Sequence, residues 1–519
     1  MYRSPLPDVQ IPVMPLTAFV FRDVERWADK PALIDGPSGR TLTYGQLAGA
    51  IEKVAGGLAA RGFEKGDVFA IYSPNIPEYA IIFYAVIRLG GIVTTINPLY
   101  TVEELVYQLN DARAKALITI PLFLGNAQEA ARESGVEDVY VFGEAAGALP
   151  FAALFQGGNG VPDVQIDVME DVAVLPYSSG TTGLPKGVML THHNLVANVC
   201  QTLGAEHIDR EEVLMGILPF YHIYGMVVIM SMVLSRGATI ITMPRFDMEQ
   251  FLEVLQNYKV SFAHLVPPII LGLAKYPGVD RYDLSALKTV FSGAAPLPAP
   301  VAKACAERLG CSVRQGYGLT ETSPVTHLIP LGSEDKITTV GPAVPNTTFR
   351  VIDVEGEDAA SGTPGEIWIR GPQVMKGYLN RPKATADMID EDGWLHTGDV
   401  GVVDEEGFLS VIDRVKELIK YKGLQVAPAE LESVLQSHPA VADVAVIPSP
   451  DEEAGEVPKA YVVLKPGMSA TAQEIMDYVA AHVAPYKKVR KVEFIEAIPK
   501  VPSGKILRRK LVERERAGR

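Results

Sequence analysis

The stretch Tyr177-Ser178-Ser179-Gly180-Thr181-Thr182-Gly183-Leu184-Pro185-Lys186-Gly187 decides how this chain is read. Residues 172–175 form an apolar run leading into it, and residues 188–190 form another leading out. Both have the length of strands. Between them stand three glycines, four Ser/Thr hydroxyls and a lysine. Glycine lets backbone N–H groups approach a ligand, hydroxyls add hydrogen bonds and lysine adds charge, so the composition suits a polyphosphate. A plain surface turn has no use for that density of donors. The G-x-x-x-x-G-K-[ST] spacing is absent, so nothing carries over from Walker A folds.

Outward from the loop, helical and extended patterns alternate. Residues 43–61 show helical apolar spacing from Thr43, residues 78–89 are helical up to Gly90-Gly91, and 251–257 read as a helix. Residues 68–72, 116–120, 139–141, 238–242 and 261–265 read as strands. The alternation predicts an α/β fold, a large N-terminal body of several subdomains with mostly parallel sheets. Further on, 350–353, 366–370 and 408–412 are short strands between Gly-rich turns. A compact α+β unit follows: helix 429–437, strands 443–447 and 460–464, helix 471–483 and strand 492–495. The boundary falls at Asp413-Arg414-Val415-Lys416, dividing a body, 1–413, from a small C-terminal domain, 414–519. A chain of 519 residues is too long for one core.

The formal charge is −15, from 47 basic and 62 acidic residues. That balance excludes nucleic acid as the main partner, since phosphodiester binding needs a basic footprint. It leaves open a small polyanion held by local donors. Cys200, Cys305 and Cys311 form no CxxC and read as reduced thiols. Residues 1–8 lack the apolar core of a signal peptide. The apolar runs at 80–87 and 225–234 fall short of the roughly 20 residues of a membrane helix and read as buried core. A cytoplasmic protein without a membrane span is expected, as a monomer or homodimer.

Five further segments carry chemistry-bearing residues. Gln315-Gly316-Tyr317-Gly318-Leu319-Thr320-Glu321 follows a short strand at 312–314, and alone such a turn is as readily structural as functional. Ser292-Gly293-Ala294-Ala295-Pro296 precedes it as a second strand-end loop. Trp394-Leu395-His396-Thr397-Gly398-Asp399 ends on a carboxylate. Asp413-Arg414-Val415-Lys416-Glu417-Leu418-Ile419-Lys420-Tyr421-Lys422-Gly423-Leu424-Gln425-Val426 is dense in lysine, by default a solvated face. Pro499-Lys500-Val501-Pro502-Ser503-Gly504-Lys505-Ile506 sets a lysine behind Ser-Gly, ahead of Arg508, Arg509 and Lys510. With the loop, and in this order, the segments resemble the motifs of the adenylate-forming superfamily. That superfamily takes in acyl-CoA synthetases, 4-coumarate–CoA ligases, beetle luciferases and peptide-synthetase adenylation domains. The resemblance runs from about Pro31 to Arg509 and is greatest to the 4-coumarate–CoA ligase branch.

The resemblance implies an ATP-dependent acid–CoA ligase with ATP and CoA as co-substrates. Ser178, Ser179, Gly180, Thr181, Thr182 and Lys186 would hold phosphates. Ala294, Gln315, Gly316, Tyr317 and Thr320 would surround the adenine and α-phosphate, with Tyr317 stacked on the base. Asp399 would accept the ribose hydroxyls, with Arg414 and Lys416 adding contacts from the domain boundary. Glu321 and Thr181 would ligand Mg²⁺, an ion that takes hard oxygens. Catalysis would fall to Lys505, His222, Lys420 and Gln425. Carboxylate attack on the α-phosphate brings anions together and needs a positioned cation, supplied by Lys505. The small domain would then rotate at Lys416 and present Lys420 and Gln425 for thioester formation. Arg245, Lys422 and Gly423 would lie along the CoA path.

Tyr224, Val228, Phe291, Gly318, Pro324 and Val325 would line the acyl slot. Apart from the Tyr224 hydroxyl these side chains are apolar, so a second charge on the acid would be buried unpaired. Tyr224 and Phe291 offer flat faces, and Gly318 would leave room for a ring. A planar aryl acid such as cinnamate or 4-coumarate is favoured. A medium- or long-chain fatty acid is the alternative, because an apolar slot also takes alkyl chains. Three other readings remain. A peptide-synthetase adenylation domain would carry an acid within Phe220-Tyr221-His222-Ile223-Tyr224-Gly225, where none stands. A luciferase-like oxygenase shares every adenylation motif. A non-catalytic binding protein would be expected to have lost Lys505, Glu321 or the loop hydroxyls.

Overall fold

The computed structural model describes residues 1–157, 160–178, 185–414, 417–421, 424–451, 454–483, 485–501, 504 and 506–517. Helices open where the sequence offers a cap. Thr43 accepts the Gln46 N–H while the Gln46 side chain accepts the Thr43 N–H, starting the helix Tyr44–Ala60. Thr191 does the same with Asn194, so the strand that leaves the phosphate loop turns at once into the helix His192–Ala205. The predicted strands at 116–120, 238–242 and 261–265 are Ala114–Thr119, Thr239–Thr242 and Phe262–Leu265.

Two eight-stranded sheets make the body. The first runs in the order Gly377–Tyr378, Lys186–Thr191, Val172–Ser178, Ile92–Ile96, Val68–Tyr72, Ala114–Thr119, Asp138–Val141, Leu149–Pro150. It is parallel except where Lys186–Thr191 pairs antiparallel with its two neighbours. The second runs Val325–Leu328, Ser312–Gly318, Thr289–Ser292, Phe262–Leu265, Val213–Gly216, Thr239–Thr242, Pro31–Asp35, Thr41–Thr43, with antiparallel pairs only at its two ends. Both fit the expected parallel α/β pattern. A third sheet, of strands Tyr2–Arg3, Thr348–Ile352, Gly365–Arg370, Leu395–Val403 and Leu409–Arg414, is wholly antiparallel. Thr348–Ile352 runs to Gly365–Arg370, and Leu395–Val403 to Leu409–Arg414, through Gly-containing loops without a helix, so antiparallel pairing follows there; the helix Pro382–Ala386 lies between the two pairs.

The helix Pro77–Arg88 is buried at every residue except Glu78 and Arg88 and touches strands of both large sheets. A helix apolar all round belongs inside, and this one fills the space between the sheets. The second apolar run is a wide π-helical segment, Tyr224–Ser231, continuing as Met232–Ser235, and every residue is buried. Ser231 stabilises it by donating to the Met226 carbonyl and accepting from the Tyr84 hydroxyl. Among the described residues no helix is long and apolar enough to cross a membrane.

The C-terminal sheet orders Leu424–Val426, Ile419–Tyr421, Gly455–Leu464 and Val441–Asp451, with Lys491–Phe494 beside Gly455–Leu464. Helices Pro428–Gln436 and Ala472–His482 close over it on an apolar cluster of its own, with Ile419, Leu431, Val446, Val462 and Ile475 at the centre. Arg414 still pairs with Asp399 on the third sheet, one residue past the expected boundary.

One charged pair lies in the body's core. Arg314 is 1% exposed, and its guanidinium approaches the Glu206 carboxylate to 2.7 Å. It also donates to the Ile329 carbonyl and to Ser312. Burial holds the Glu206 carboxyl above its usual range although Arg314 pulls the other way. Removing one partner of such a pair strands the other charge. Arg314→Met is therefore expected to destabilise by about 3–5 kcal/mol, and Arg314→Met with Glu206→Leu to recover most of it. Denaturant melts of the two variants check this. Equal losses would mean that the pair is not coupled.

Candidate active site

The phosphate-loop residues Ser179, Gly180, Thr181 and Thr182 lie outside the described residues, but the frame that holds the loop does not. Ser178 and Lys186 are directly opposite in an antiparallel pair, closing the loop at its base. The Tyr177 hydroxyl donates to Asp111 at 2.9 Å, and Asp111 takes Arg381 at 2.9 Å on its other oxygen. The Tyr107 hydroxyl donates to the Pro185 carbonyl, and the Leu379 N–H to the Gly187 carbonyl. Burial and the Asp111 charge keep the Tyr177 hydroxyl protonated by raising its pKa far above its usual value.

Glu321 follows the strand Ser312–Gly318 in a short turn, Thr320–Thr322, and is 5% exposed. The Tyr378 hydroxyl donates to its Oε1 at 2.8 Å. The Lys186 ammonium stands 4.8 Å from the centre of the same Tyr378 ring. Three elements thus converge: the strand leaving the phosphate loop, the edge strand Gly377–Tyr378 and the Glu321 turn. Sequence reasoning missed Tyr378, because a lone Gly-Tyr pair carries no periodic signal.

The Tyr317 hydroxyl donates to Asp399 Oδ2 at 2.6 Å, joining the second and third sheets. Asp399 is buried and stands opposite Arg414 across two antiparallel strands, so both expected ribose contacts occupy one register position. Ala294 is exposed with φ at 69°, a left-handed conformation uncommon outside glycine. Gln315 is a brace. Its side chain accepts from Leu297 N–H and donates to the carbonyls of Ile337 and Thr339. Gly316 lies beside the Phe291 ring, and Thr320 is half-buried.

Tyr224, Val228, Phe291 and Pro324 are buried, and Val325 is half-buried. Asn198 holds Val325 by bonding both its N–H and its carbonyl. Tyr224 packs so closely on Gly293 that a Cβ there would lie 2.4 Å from the ring. Its hydroxyl is 3.0 Å from Nδ1 of His264, a residue not anticipated from the sequence. Gly318 departs from expectation. A Cβ on it would lie 2.1 Å from the Pro324 carbonyl oxygen, so its missing side chain lets its own loop close rather than leaving room for a ring. The Arg314 guanidinium lies 5.5 Å from the Phe291 ring centre, but Glu206 neutralises it.

His222 is exposed, and its Nδ1 accepts the Tyr224 N–H, which puts the proton of the neutral ring on Nε2. Arg245 is exposed after the strand Thr239–Thr242. Lys420 and Gln425 are cross-strand partners in a hairpin on the C-terminal sheet. Lys416, Lys422, Gly423 and Lys505 lie outside the described residues. Gly504, one residue before Lys505, rests on the body: a Cβ there would lie 2.9 Å from Pro268.

Residues 20–379 match the AMP-binding enzyme family, and residues 430–505 match the AMP-binding enzyme C-terminal domain. 4-Coumarate--CoA ligase 1 of Solanum tuberosum is 43% identical over 530 residues, covering 100% of this chain and 97% of that protein. 4-Coumarate--CoA ligase 5 of Oryza sativa subsp. japonica is 43% identical over 533 residues, with 100% and 98% covered. The solved structure of ATP-bound MatB from Rhodopseudomonas palustris matches with a TM-score of 0.89 at 29% identity, covering 96% of this chain and 99% of that one. The anthranilate CoA ligase AuaEII in complex with anthranoyl-AMP matches with a TM-score of 0.89 at 25% identity, covering 98% of each chain.

Because the Gly318 contact is with backbone of its own loop, Gly318→Ala is expected to lower adenylate formation from every acid alike, by about tenfold or more. Pyrophosphate release measured with an aryl and an alkyl acid checks this. A loss confined to the aryl acid would restore the reading of Gly318 as room for a ring.

Proposed function

The chain belongs to the AMP-binding enzyme family, and on that premise we propose that it is an ATP-dependent acid–CoA ligase acting on an aryl acid of the cinnamate or 4-coumarate type. The observation that carries the adenylation chemistry is the Lys186–Tyr378–Glu321 cluster at the base of the phosphate loop. Full-length similarity to 4-coumarate–CoA ligases supports CoA as the acceptor and an aryl acid as the donor.

ATP binds with its phosphates at the 178–186 loop and its ribose at Asp399 and Arg414. Glu321 suits Mg²⁺: it is a buried hard-oxygen donor, oriented by the Tyr378 hydroxyl and, among the described residues, not paired with a cation. When bound, that ion offsets the charge of the pyrophosphate leaving group. The acid lies in the slot of Tyr224, Phe291 and Val325, with its carboxylate towards His222. A carboxylate oxygen attacks the α-phosphorus, the bond to the β-phosphate oxygen breaks, and pyrophosphate leaves. Lys505 supplies the cation for this step. The seat of Gly504 on Pro268 supports an arrangement with that loop at the body. The C-terminal domain, from about residue 414, then turns at Lys416 and brings the Lys420–Gln425 hairpin to the site. The CoA thiolate attacks the acyl carbonyl, the thioester forms and AMP leaves. Unpaired cysteines at 200, 305 and 311 and the lack of an apolar spanning helix among the described residues support a cytoplasmic enzyme.

Lys505→Ala is expected to abolish pyrophosphate release from acid and ATP while sparing thioester formation from supplied acyl-AMP. Lys420→Ala is expected to do the reverse, with thioester formation falling about 10²–10³-fold. Single-turnover assays of each half-reaction check both, and equal loss in both steps would overturn the two-position mechanism.

Tyr378→Phe removes one hydroxyl that orients the proposed metal ligand. It is expected to weaken Mg²⁺-dependent ATP binding about 10-fold and leave Mg²⁺-free binding unchanged. Calorimetric titration with and without Mg²⁺ reads this directly. Unchanged Mg²⁺-dependent affinity would remove Tyr378 from the site.

A further inference from the structure

Tyr107 and Asp111 lie one turn apart on the helix Val102–Ala112, so their side chains share a face. Thr101 and Glu104 cap that helix at its start. The buried Gln108 anchors it to the first large sheet, donating to the Thr94 hydroxyl and the Thr95 carbonyl of the strand Ile92–Ile96. Both ends of the phosphate loop rest on this fixed base. Where the chain leaves the loop, the Pro185 carbonyl accepts from the Tyr107 hydroxyl at 2.9 Å. Where it enters, the Tyr177 hydroxyl donates to Asp111 Oδ2 at 2.9 Å. The Tyr177 ring covers its cross-strand partner Gly187, on which a Cβ would lie 3.2 Å from the ring.

The other oxygen of Asp111 reaches a third element. Oδ1 accepts from the Arg381 guanidinium at 2.9 Å. Arg381 sits in the turn after the edge strand Gly377–Tyr378, and its N–H donates to the Tyr378 carbonyl. Tyr378 in turn orients Glu321 and lies under Lys186. The Asp111 charge above all, and a bond to Tyr107 after it, raise the pKa of the Arg381 guanidinium, which thus meets both residues of the helix face. An ion pair whose arginine is 39% exposed adds little to stability. What it fixes is orientation: one carboxylate links the entry of the loop to the turn beside the proposed metal ligand. Neither Tyr107 nor Asp111 belongs to any of the six chemistry-bearing segments of the sequence.

We propose that Tyr107 and Asp111 are positioning residues for adenylation: from one helix face they hold the two ends of the phosphate loop and, through Arg381, the Tyr378 turn, so that ATP is bound with its α-phosphorus aligned for the acid. This rests on the reading of the 178–186 loop as the ATP phosphate site. Neither residue touches the nucleotide, and both act through the loop. Phosphoryl and nucleotidyl transfer depend on placing the attacking and leaving oxygens in line, and a small misplacement of a bound group costs rate steeply. Thioester formation starts from acyl-AMP after pyrophosphate has left, so it no longer depends on how the triphosphate is held.

Tyr107→Phe removes one hydroxyl and keeps the ring. Asp111→Asn turns one of two accepting oxygens into a donor, so the side chain can serve Tyr177 or Arg381 but not both. Pyrophosphate release from acid and ATP, and thioester formation from supplied acyl-AMP and CoA, are measured on the same preparation, with 4-coumarate or with octanoate if the wild type prefers it. Each variant is expected to lower kcat for pyrophosphate release about 10-fold, with KM for the acid unchanged and thioester formation at the wild-type rate. The ratio of the two half-reactions does not depend on the fraction of folded enzyme, so partial misfolding does not imitate the result. Equal loss in both half-reactions, or pyrophosphate release at the wild-type kcat in either variant, overturns the inference and leaves the ligase reading intact. A wild type that releases no pyrophosphate with either acid overturns the ligase reading and the inference with it.

Discussion

Tyr378 lies on the edge strand of one large sheet, and Glu321 follows the last parallel strand of the other. The 2.8 Å hydrogen bond between them is where the two sheets meet at the site. A carboxylate proposed to receive a cation must be held without being neutralised. A hydroxyl does that, since it fixes the orientation and leaves the charge in place, where a lysine or arginine partner would cancel it. The Lys186 ammonium stands over the ring of the same Tyr378. That geometry depends on the spacing of the sheets, which the helix Pro77–Arg88, buried at every residue but Glu78 and Arg88, sets by filling the gap between them. Burial deep in the body therefore reaches the functional end of the molecule as a fixed distance between two side chains.

The third sheet joins through Tyr317 and Asp399, and the chain leaves it at Arg414 for the C-terminal unit. That unit closes on its own apolar cluster, apart from the core of the body. A part with its own core can change position as one piece, because no large buried surface has to open first. Charged contacts keep it coherent. Arg508, on its last helix, reaches both Glu417 and Glu432, tying the start of the unit to its far end. The two-position mechanism proposed above, with the turn around Gly504 serving one half-reaction and the Lys420–Gln425 hairpin the other, needs such a construction.

The proposed acyl slot is uncharged by arrangement as well as by composition. Arg314 and Glu206 lie beside it and neutralise each other, and His264 is held neutral by burial and by the nearby guanidinium. The slot therefore presents flat apolar faces with one polar position. Closed packing shapes it as much as the side chains that line it. Gly293 lets Tyr224 approach its loop, and Gly318 lets the turn ahead of Pro324 fold back on itself.

Much of this was legible in residue order. The donor-rich loop between two short strands, the Thr43 helix start and the parallel α/β pattern all follow from local composition and period, and the structure places them within a few residues of where they were expected. Such features depend on a residue and its near neighbours, which the sequence displays directly. Tyr378 with Glu321, Tyr224 with His264, and Arg314 with Glu206 were not legible. Their partners are separated by 57 residues in the first case and 40 in the second. Periodicity tells which side chains turn inward but not which of them meet, so neither Tyr378 nor His264 stood out. Gly318 was misjudged for the same reason, since the atom that excludes a Cβ there belongs to Pro324, brought back by the fold of the loop. The sequence by itself determined the elements and the kinds of chemistry they carry. The tertiary structure alone decided which polar groups pair and which are left open, because pairing depends on distances that only packing sets.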